Sequence, residues 1–316
     1  MGKKKNELLS KTSVVCMLAF LCCGLWGSAF PCVKIGYEMF QIASKDMASQ
    51  ILFAGLRFTL AGMLVIIIGS LGNRKMLLPK KESIPKIIKL SLFQTILQYL
   101  FFYVGLAHTS GVKASIIEAA NVFIAILVSS LIFRLERFTV RKMAGCVIGF
   151  LGVILINLGG SGLDMDFTWM GEGFILISTV AYAISSVLIK YYAKEESPVL
   201  LSGYQFTFGG IVMIGYGILT GGNINKVTGE GIVMLCYLAL ISAVAYTLWS
   251  LLLKYNPVSK IAVFGFMNPV CGVLLSALLL GEGSQAFGIQ GVLALFLACV
   301  GIYIVNRKKE NDHTLL

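Results

Sequence analysis

The chain has 316 residues, 57% of them hydrophobic and only 13% charged, with a mean hydropathy of +0.86. Soluble domains carry roughly 25% charged residues, so this chain lacks the polar surface to coat a water-soluble particle; a cytosolic enzyme, a secreted disulfide scaffold and a disordered regulator are excluded. The net charge of +11 comes from Lys and Arg in short clusters between apolar runs, a placement that suits anionic lipid headgroups and excludes a nucleic-acid-binding face.

A hydrocarbon core needs about 20 apolar residues per helix. On that rule the sequence predicts an all-α polytopic membrane protein with ten spans, 13–35, 50–71, 87–108, 112–133, 142–158, 171–190, 199–219, 231–252, 260–280 and 286–306. The first follows Lys3, Lys4 and Lys5 in the manner of a signal peptide, but its apolar core is too long and nine further spans follow, so it is read as retained. With the amino terminus inside, 21 of the 26 Lys and Arg fall in inside segments and four, Lys34, Lys45, Lys113 and Lys226, outside; Arg57 alone lies deep in a span. That bias predicts cytoplasmic tails at 1–11 and 307–316 and a multi-pass protein of the cell membrane. All eight cysteines fall in apolar runs without metal-ligand spacing, so they read as small buried hydrophobes, and neither metal nor cofactor is expected.

The second half echoes the first at a separation of about 147 residues. Gly55-Leu-Arg-Phe-Thr-Leu-Ala-Gly62 aligns with Gly203-Tyr-Gln-Phe-Thr-Phe-Gly-Gly210; Trp26 and Lys34 are mirrored by Tyr182 and Lys190, Asn121 by Asn268, Glu136 by Glu282, and Gly145 by Gly291. Five spans per unit is an odd number, so the second unit enters the bilayer inverted. Inverted repeats are a recurring architecture of secondary transporters.

Trp26-Gly-Ser-Ala-Phe30 with Lys34, Leu56-Arg57-Phe58, Pro269 followed by Glu282, and Gly145 and Gly291 beyond the two glutamates resemble the EamA-type repeat of the drug/metabolite transporter superfamily. The likeness covers 12–158 and 170–306 as two five-helix repeats. It implies a carrier of amino acids and related metabolites, commonly an exporter. The chain departs from the family where Val122 or Phe123 replaces the proline ahead of the first glutamate, which leaves helix 4 without the residue that would break it.

Among the charged residues only Arg57 and Glu118 lie well inside spans, each about 10 Å from the outer face at 1.5 Å per residue. A charge there costs at least ~2.5–3.5 kcal/mol, so each calls for a partner, a watery cavity or a ligand. The functional reading gives Arg57 an anionic substrate group and Glu118 an ammonium or a coupling proton; the bland reading is an Arg57–Glu118 ion pair clamping helices 2 and 4. Ser115 and Asn121 share the helix 4 stripe of Glu118. Gln94 and Gln98 sit four apart on helix 3, and helix 7 has Gln205 where helix 2 has Arg57. Asn121 and Asn268, related by the repeat, suit a central site, and Pro269 frees a carbonyl beside the latter. Trp26, Tyr246 and Trp249, with Tyr99 and Tyr103, are candidate walls. Glu136 and Glu282 lie at membrane edges, where loop closure and a helix amino terminus account for them. Gly145 and Gly149 suit either close packing within the chain or a homodimer face.

A secondary transporter for a small molecule is therefore expected. The alternatives are a passive channel and a permease subunit of a multi-component system, since there is no P-loop. No H-E-x-x-H, G-x-S-x-G or paired intramembrane aspartates occur, so an enzyme is not expected.

Overall fold

The computed structural model describes residues 8–43, 45–108, 117–158, 167–268, 270–272, 275 and 289–306. Ser115, Pro269, Glu282 and the basic residues at 3–5, 113 and 307–309 lie outside the described residues. The described residues form helices and no strands. These are α1 (Thr12–Met39), α2 (Met47–Asn73), α3 (Ile84–Ser91, a π turn Leu92–Leu97, then Gln98–Ala107), and α4 (Asn121–Leu127 running into a π turn Val128–Ile132). They continue as α5 (Val140–Leu158), α6 (a π turn Trp169–Gly173, then Phe174–Tyr192), α7 (Pro198–Leu219), α8 (Gly229–Tyr255), α9 (Val258–Ala262 continuing as a 3-10 turn Val263–Phe266) and α10 (Ile289–Asn306). Six of the described helices, α1, α2, α3, α6, α7 and α8, are long and apolar enough to cross a membrane.

Local chemistry starts several of them. Asp46 caps α2 by accepting from the Ser49 backbone N–H at 3.0 Å, Thr228 caps α8 through Gly231 N–H at 3.1 Å, and Pro198 occupies the first turn of α7, where no intrahelical N–H is needed. Each such side-chain cap is worth about 1 kcal/mol.

The most extensive contact joins α2 to α7. A Cβ on Gly55 would sit 2.9 Å from the carbonyl oxygen of Gly210, and one on Gly62 would sit 2.6 Å from that of Gly203. As position rises along α2 it falls along α7, so the two helices run antiparallel, and glycine is what lets their backbones touch. α5 and α10 meet in the same way. A Cβ on Gly145 would lie 2.9 Å from the Gly301 carbonyl, and the space beside Gly149 is filled by Phe266. Both glycines are thus taken up by packing within the chain, which removes them from the dimer face offered as one of two readings.

The loops sort to two ends. At one, Lys86 pairs with Glu195 at 2.6 Å, Ser83 donates to Glu196 at 2.7 Å, and Lys190 donates to the carbonyls of Lys254 and Asn256 at 3.1 and 2.8 Å. Asn256 donates to Leu9 O at 2.9 Å, and Lys260 to Ser10 O at 3.2 Å. The segments expected inside, near residues 8–11, 83–86, 190–196 and 254–260, therefore share one face. At the other end Asn223 N–H donates to Ser49 Oγ at 2.9 Å, joining the 40–49 and 220–228 loops, both expected outside.

Glu136 is the anchor of the basic end. It accepts from Ser129 Oγ at 2.7 Å, Lys142 Nζ at 2.6 Å, Ser259 N–H at 2.9 Å and the Ser259 hydroxyl, tying the α4–α5 loop to the start of α9. Burial pushes its carboxyl up, but the hydrogen bonds from Lys142, Ser259 and Ser129 outweigh burial and hold it below the usual carboxylate range.

Helix α4 departs from expectation. Residues 117–119 before it are helical and are separated from it by a turn at Ala120 although no proline is present, and the Asn121 side chain donates to the Glu118 carbonyl at 2.7 Å. A side-chain amide takes the carbonyl that a regular helix would have satisfied, so the break needs no proline.

Candidate functional site

On α2 and α7, Phe58 and Phe206 occupy matching places in the two aligned segments. Their rings stack against each other, 5.3 Å between centroids and 12° between planes. One helix away, Tyr99 on α3 and Tyr246 on α8 share a hydroxyl–hydroxyl hydrogen bond of 2.6 Å across a sequence separation of 147, the length of the repeat. Trp26 of α1 sets its ring edge-on to Tyr246 at 5.0 Å and to Trp249 at 5.1 Å. Phe206 meets Tyr246 at 4.9 Å and Phe58 meets Tyr99 at 4.4 Å. Five helices, α1, α2, α3, α7 and α8, thus supply one aromatic box.

Two polar arms flank it. Arg57, 5% exposed, donates from Nε and Nη2 to Ser242 Oγ on α8 at 3.1 and 2.9 Å. Gln205, the residue aligned with Arg57, accepts at Oε1 from Thr95 Oγ1 on α3 at 2.7 Å. Thr95 and Ser242 each lie one helical turn before the paired tyrosines, so the two arms are built alike, one charged and one neutral. Arg57 lies close enough to interact electrostatically with Tyr99, Tyr246, Cys32 and Tyr37.

The box is unusual in what it leaves unsatisfied. Of the ten buried side-chain polar atoms without a hydrogen-bond partner among the described residues, three belong to it, Trp26 Nε1, Gln98 Oε1 and Gln205 Nε2; Gln94 Oε1 on α3 and Asn268 Oδ1 after the α9 turn are unpartnered as well. Each such group costs about 1–3 kcal/mol relative to a paired one, and buried polar atoms in folded proteins are nearly always paired. Two of the three at the box are donors and one is an acceptor. Unmet donors can serve an acceptor group and an unmet acceptor can serve a donor.

The expected site residues are distributed as follows. Trp26, Arg57, Gln98, Gln205, Tyr246 and Trp249 come together at the box, with Gln98 reaching Tyr246. Gln94 is buried in the π turn of α3, beside Thr95. Asn121 opens α4 and Glu118 lies in the helical residues 117–119 just before it, within electrostatic range of Tyr182 of α6. The Asn121 Oδ1 would lie 3.6 Å from a Cβ on Gly265, which places it against the α9 turn that precedes Asn268. Among the described residues no ion pair joins Arg57 to Glu118. The clamp across helices 2 and 4 is therefore not made; Arg57 is held by Ser242 on α8 instead.

Sequence reading missed Ser242, Thr95, Phe58 and Phe206 as parts of the site. The signal for two of them was present, since Thr95 and Ser242 stand at the repeat offset, as do Tyr99 and Tyr246. Among the described residues no group of three His, Cys, Asp or Glu is placed to hold a metal ion.

The model of the EamA-like transporter family matches residues 13–158 and again 169–307. The chain is 30% identical to an uncharacterized transporter of Archaeoglobus fulgidus, covering 90% of this chain and 95% of that protein. It is 26% identical to the uncharacterized transporter YvbV of Bacillus subtilis, over 96% of this chain and 94% of the relative. It is also 26% identical to the uncharacterized inner membrane transporter YedA of Escherichia coli, over 90% of each chain. A solved crystal structure superposes with a TM-score of 0.76 at 17% identity, covering 93% of this chain and 96% of that one; the likeness is one of fold.

Proposed function

Because the chain belongs to the EamA-like transporter family and is a multi-pass membrane transporter, not an enzyme, we propose that it exports a small zwitterion, an amino acid or a close relative, by alternating access. The substrate's carboxylate meets Arg57 and its apolar part lies among Trp26, Tyr246 and Trp249. What carries the reading is that Trp26, Gln98 and Gln205 leave two buried donors and one buried acceptor unmet in the cluster that also holds the buried Arg57. A zwitterion offers both kinds of partner at once.

Alternating access needs two halves of opposite sense, and we place them at 12–158 and 170–306, as ten spans with both termini cytoplasmic. The antiparallel α2 and α7, the contact between Tyr99 and Tyr246 at the repeat offset, and the gathering of basic loops at one end all support that arrangement. Glu118, just before α4, is the candidate proton carrier, Asn121 holds its backbone in place, and Asn268 lines the matching position of the second half.

The test is counterflow of labelled amino acids into proteoliposomes holding the purified full-length chain, with and without a proton gradient. Saturable uptake that Arg57→Gln abolishes is expected. Flux orders of magnitude above the rate of a microsecond-to-millisecond conformational cycle would instead indicate a channel. Pair it with Glu118→Gln: uptake that keeps its full response to the gradient rules Glu118 out as the coupling site.

A further inference from the structure

We propose that Ser242 and Thr95 are the positioning residues of the ligand site, two equivalent hydroxyls that aim its charged and neutral arms. The inference rests on the transporter reading above and adds to it the way the site tells one end of its ligand from the other.

Ser242 is fully buried on α8 and donates to Leu238 O at 3.2 Å. Its one proton is thereby committed to the helix, and its lone pairs face Arg57, which approaches with two N–H groups at 3.1 and 2.9 Å. A long arginine side chain has several rotatable bonds, so without a fixed contact its guanidinium would sample many positions. A two-point contact to one oxygen fixes the plane of the guanidinium without neutralising it. A carboxylate at the same position would have fixed it too, but would have cancelled the charge. A neutral acceptor therefore positions the cation and leaves its charge for an anionic ligand.

The second arm repeats the design without charge. Thr95 is fully buried on α3 and donates to Gln205 Oε1 at 2.7 Å. That occupies the carbonyl end of the amide and turns Nε2, which has no partner and belongs to a side chain of 0% exposure, away as a donor. Ser91 reinforces the arm by donating to Gln205 O at 2.9 Å. One arm thus presents a cation, the other a neutral donor, at matching positions of α2 and α7 on either side of the Phe58–Phe206 stack. A ligand with one anionic group and one neutral acceptor fits in a single orientation, its anion towards Arg57.

The experiment uses the full-length chain in proteoliposomes and two probes, a tritiated amino-acid mixture and the corresponding mixture of carboxamides, which lack the negative charge. Ser242→Ala is expected to raise KM for the amino acids about tenfold, the scale of a lost hydrogen bond to a charged group, and to leave carboxamide uptake within twofold. Ser242→Thr, which keeps the oxygen, restores KM. Thr95→Val is expected to weaken both probes alike, because its arm is neutral. Equal losses for both probes in Ser242→Ala, a fall in maximal rate at unchanged KM, or failure of Ser242→Thr to rescue would overturn the proposal while leaving the transporter reading in place. Absence of saturable amino-acid uptake by the unaltered chain would overturn both. Monodisperse elution of each variant separates these outcomes from misfolding.

Discussion

Glu136 and Arg57 are both charged, both largely buried, and both bridge the two halves of the chain, yet their surroundings are opposite. At the basic end Glu136 meets Lys142, Ser129 and both the N–H and the hydroxyl of Ser259. In mid-membrane Arg57 meets one neutral hydroxyl, and around it Trp26, Gln98 and Gln205 leave polar atoms bare. A charge that is fully partnered contributes to the fold. One held in position but not neutralised destabilises the empty protein and is available to a ligand, the trade of stability for function.

The largest expected effect belongs to the scaffold on which both regions hang. Gly62→Leu would put a Cβ 2.5 Å from Thr207 N and 2.6 Å from Gly203 O, backbone atoms that cannot give way as a side chain can. We expect a loss on the order of 3–4 kcal/mol, seen as an aggregated or absent peak in size-exclusion chromatography. Gly72→Leu on the same helix, with nothing within 4 Å, is the matched control and should elute as the unaltered chain does. Equal behaviour of the two would mean that α2 and α7 are not in close contact.

Next comes the contrast itself. Arg57→Gln should reduce amino-acid uptake about a hundredfold, roughly 2.7 kcal/mol at 1.4 kcal/mol per decade, while leaving the melting temperature unchanged or raised, because it removes a buried charge that no carboxylate balances. Glu136→Gln should do the reverse, costing about 2 kcal/mol of stability with KM for uptake unchanged. A melting-temperature drop in Arg57→Gln as large as that in Glu136→Gln would erase the distinction between the two regions.

The Glu136 arm can be sharpened with pH. Its carboxyl is held below the ordinary range in the folded protein, so the carboxylate's contribution is complete above the ordinary value of about 4.3 and fades as pH falls through the lowered folded value. A melting temperature that is flat from neutrality to about pH 5 and declines below it is expected, with part of the decline absent in Glu136→Gln. The same acid decline in both proteins would place the titrating group elsewhere.

How much of this was legible beforehand depended on the kind of signal. Spans and loop charges are set by the solvent, lipid or water, and both leave their mark on composition; Lys86, Lys190 and Lys260, expected on one side, therefore fell together at one end. Arg57 and Gln205 stood out because polar groups are rare within apolar runs. Ser242 and Thr95 did not, because a hydroxyl in a membrane helix more often satisfies its own backbone than a neighbour's side chain. The break at Ala120 was hidden for a related reason. Its cause is a hydrogen bond from Asn121 to the Glu118 carbonyl, whereas the composition rule for breaks looks for proline. The missing Arg57–Glu118 pair has a geometric cause: similar depth in the bilayer says nothing of azimuth around the bundle.

The smallest effect tests the join between the halves. Tyr99 and Tyr246 share one hydroxyl–hydroxyl bond of 2.6 Å, and each ring remains packed whichever hydroxyl is removed, Tyr99 on Phe58 and Tyr246 on Trp26 and Phe206. Tyr99→Phe and Tyr246→Phe should each cost about 1 kcal/mol. Because both changes remove that bond, while Tyr246→Phe also removes the partner that Gln98 reaches, the double variant should cost little more than Tyr246→Phe alone, a coupling energy near the full effect of Tyr99→Phe. Strict additivity would mean that each hydroxyl depends on a separate partner, so that the two halves do not meet through this pair. Near-complete coupling would mark it as a contact that each half makes with its own counterpart, and such a contact survives when the halves exchange shapes.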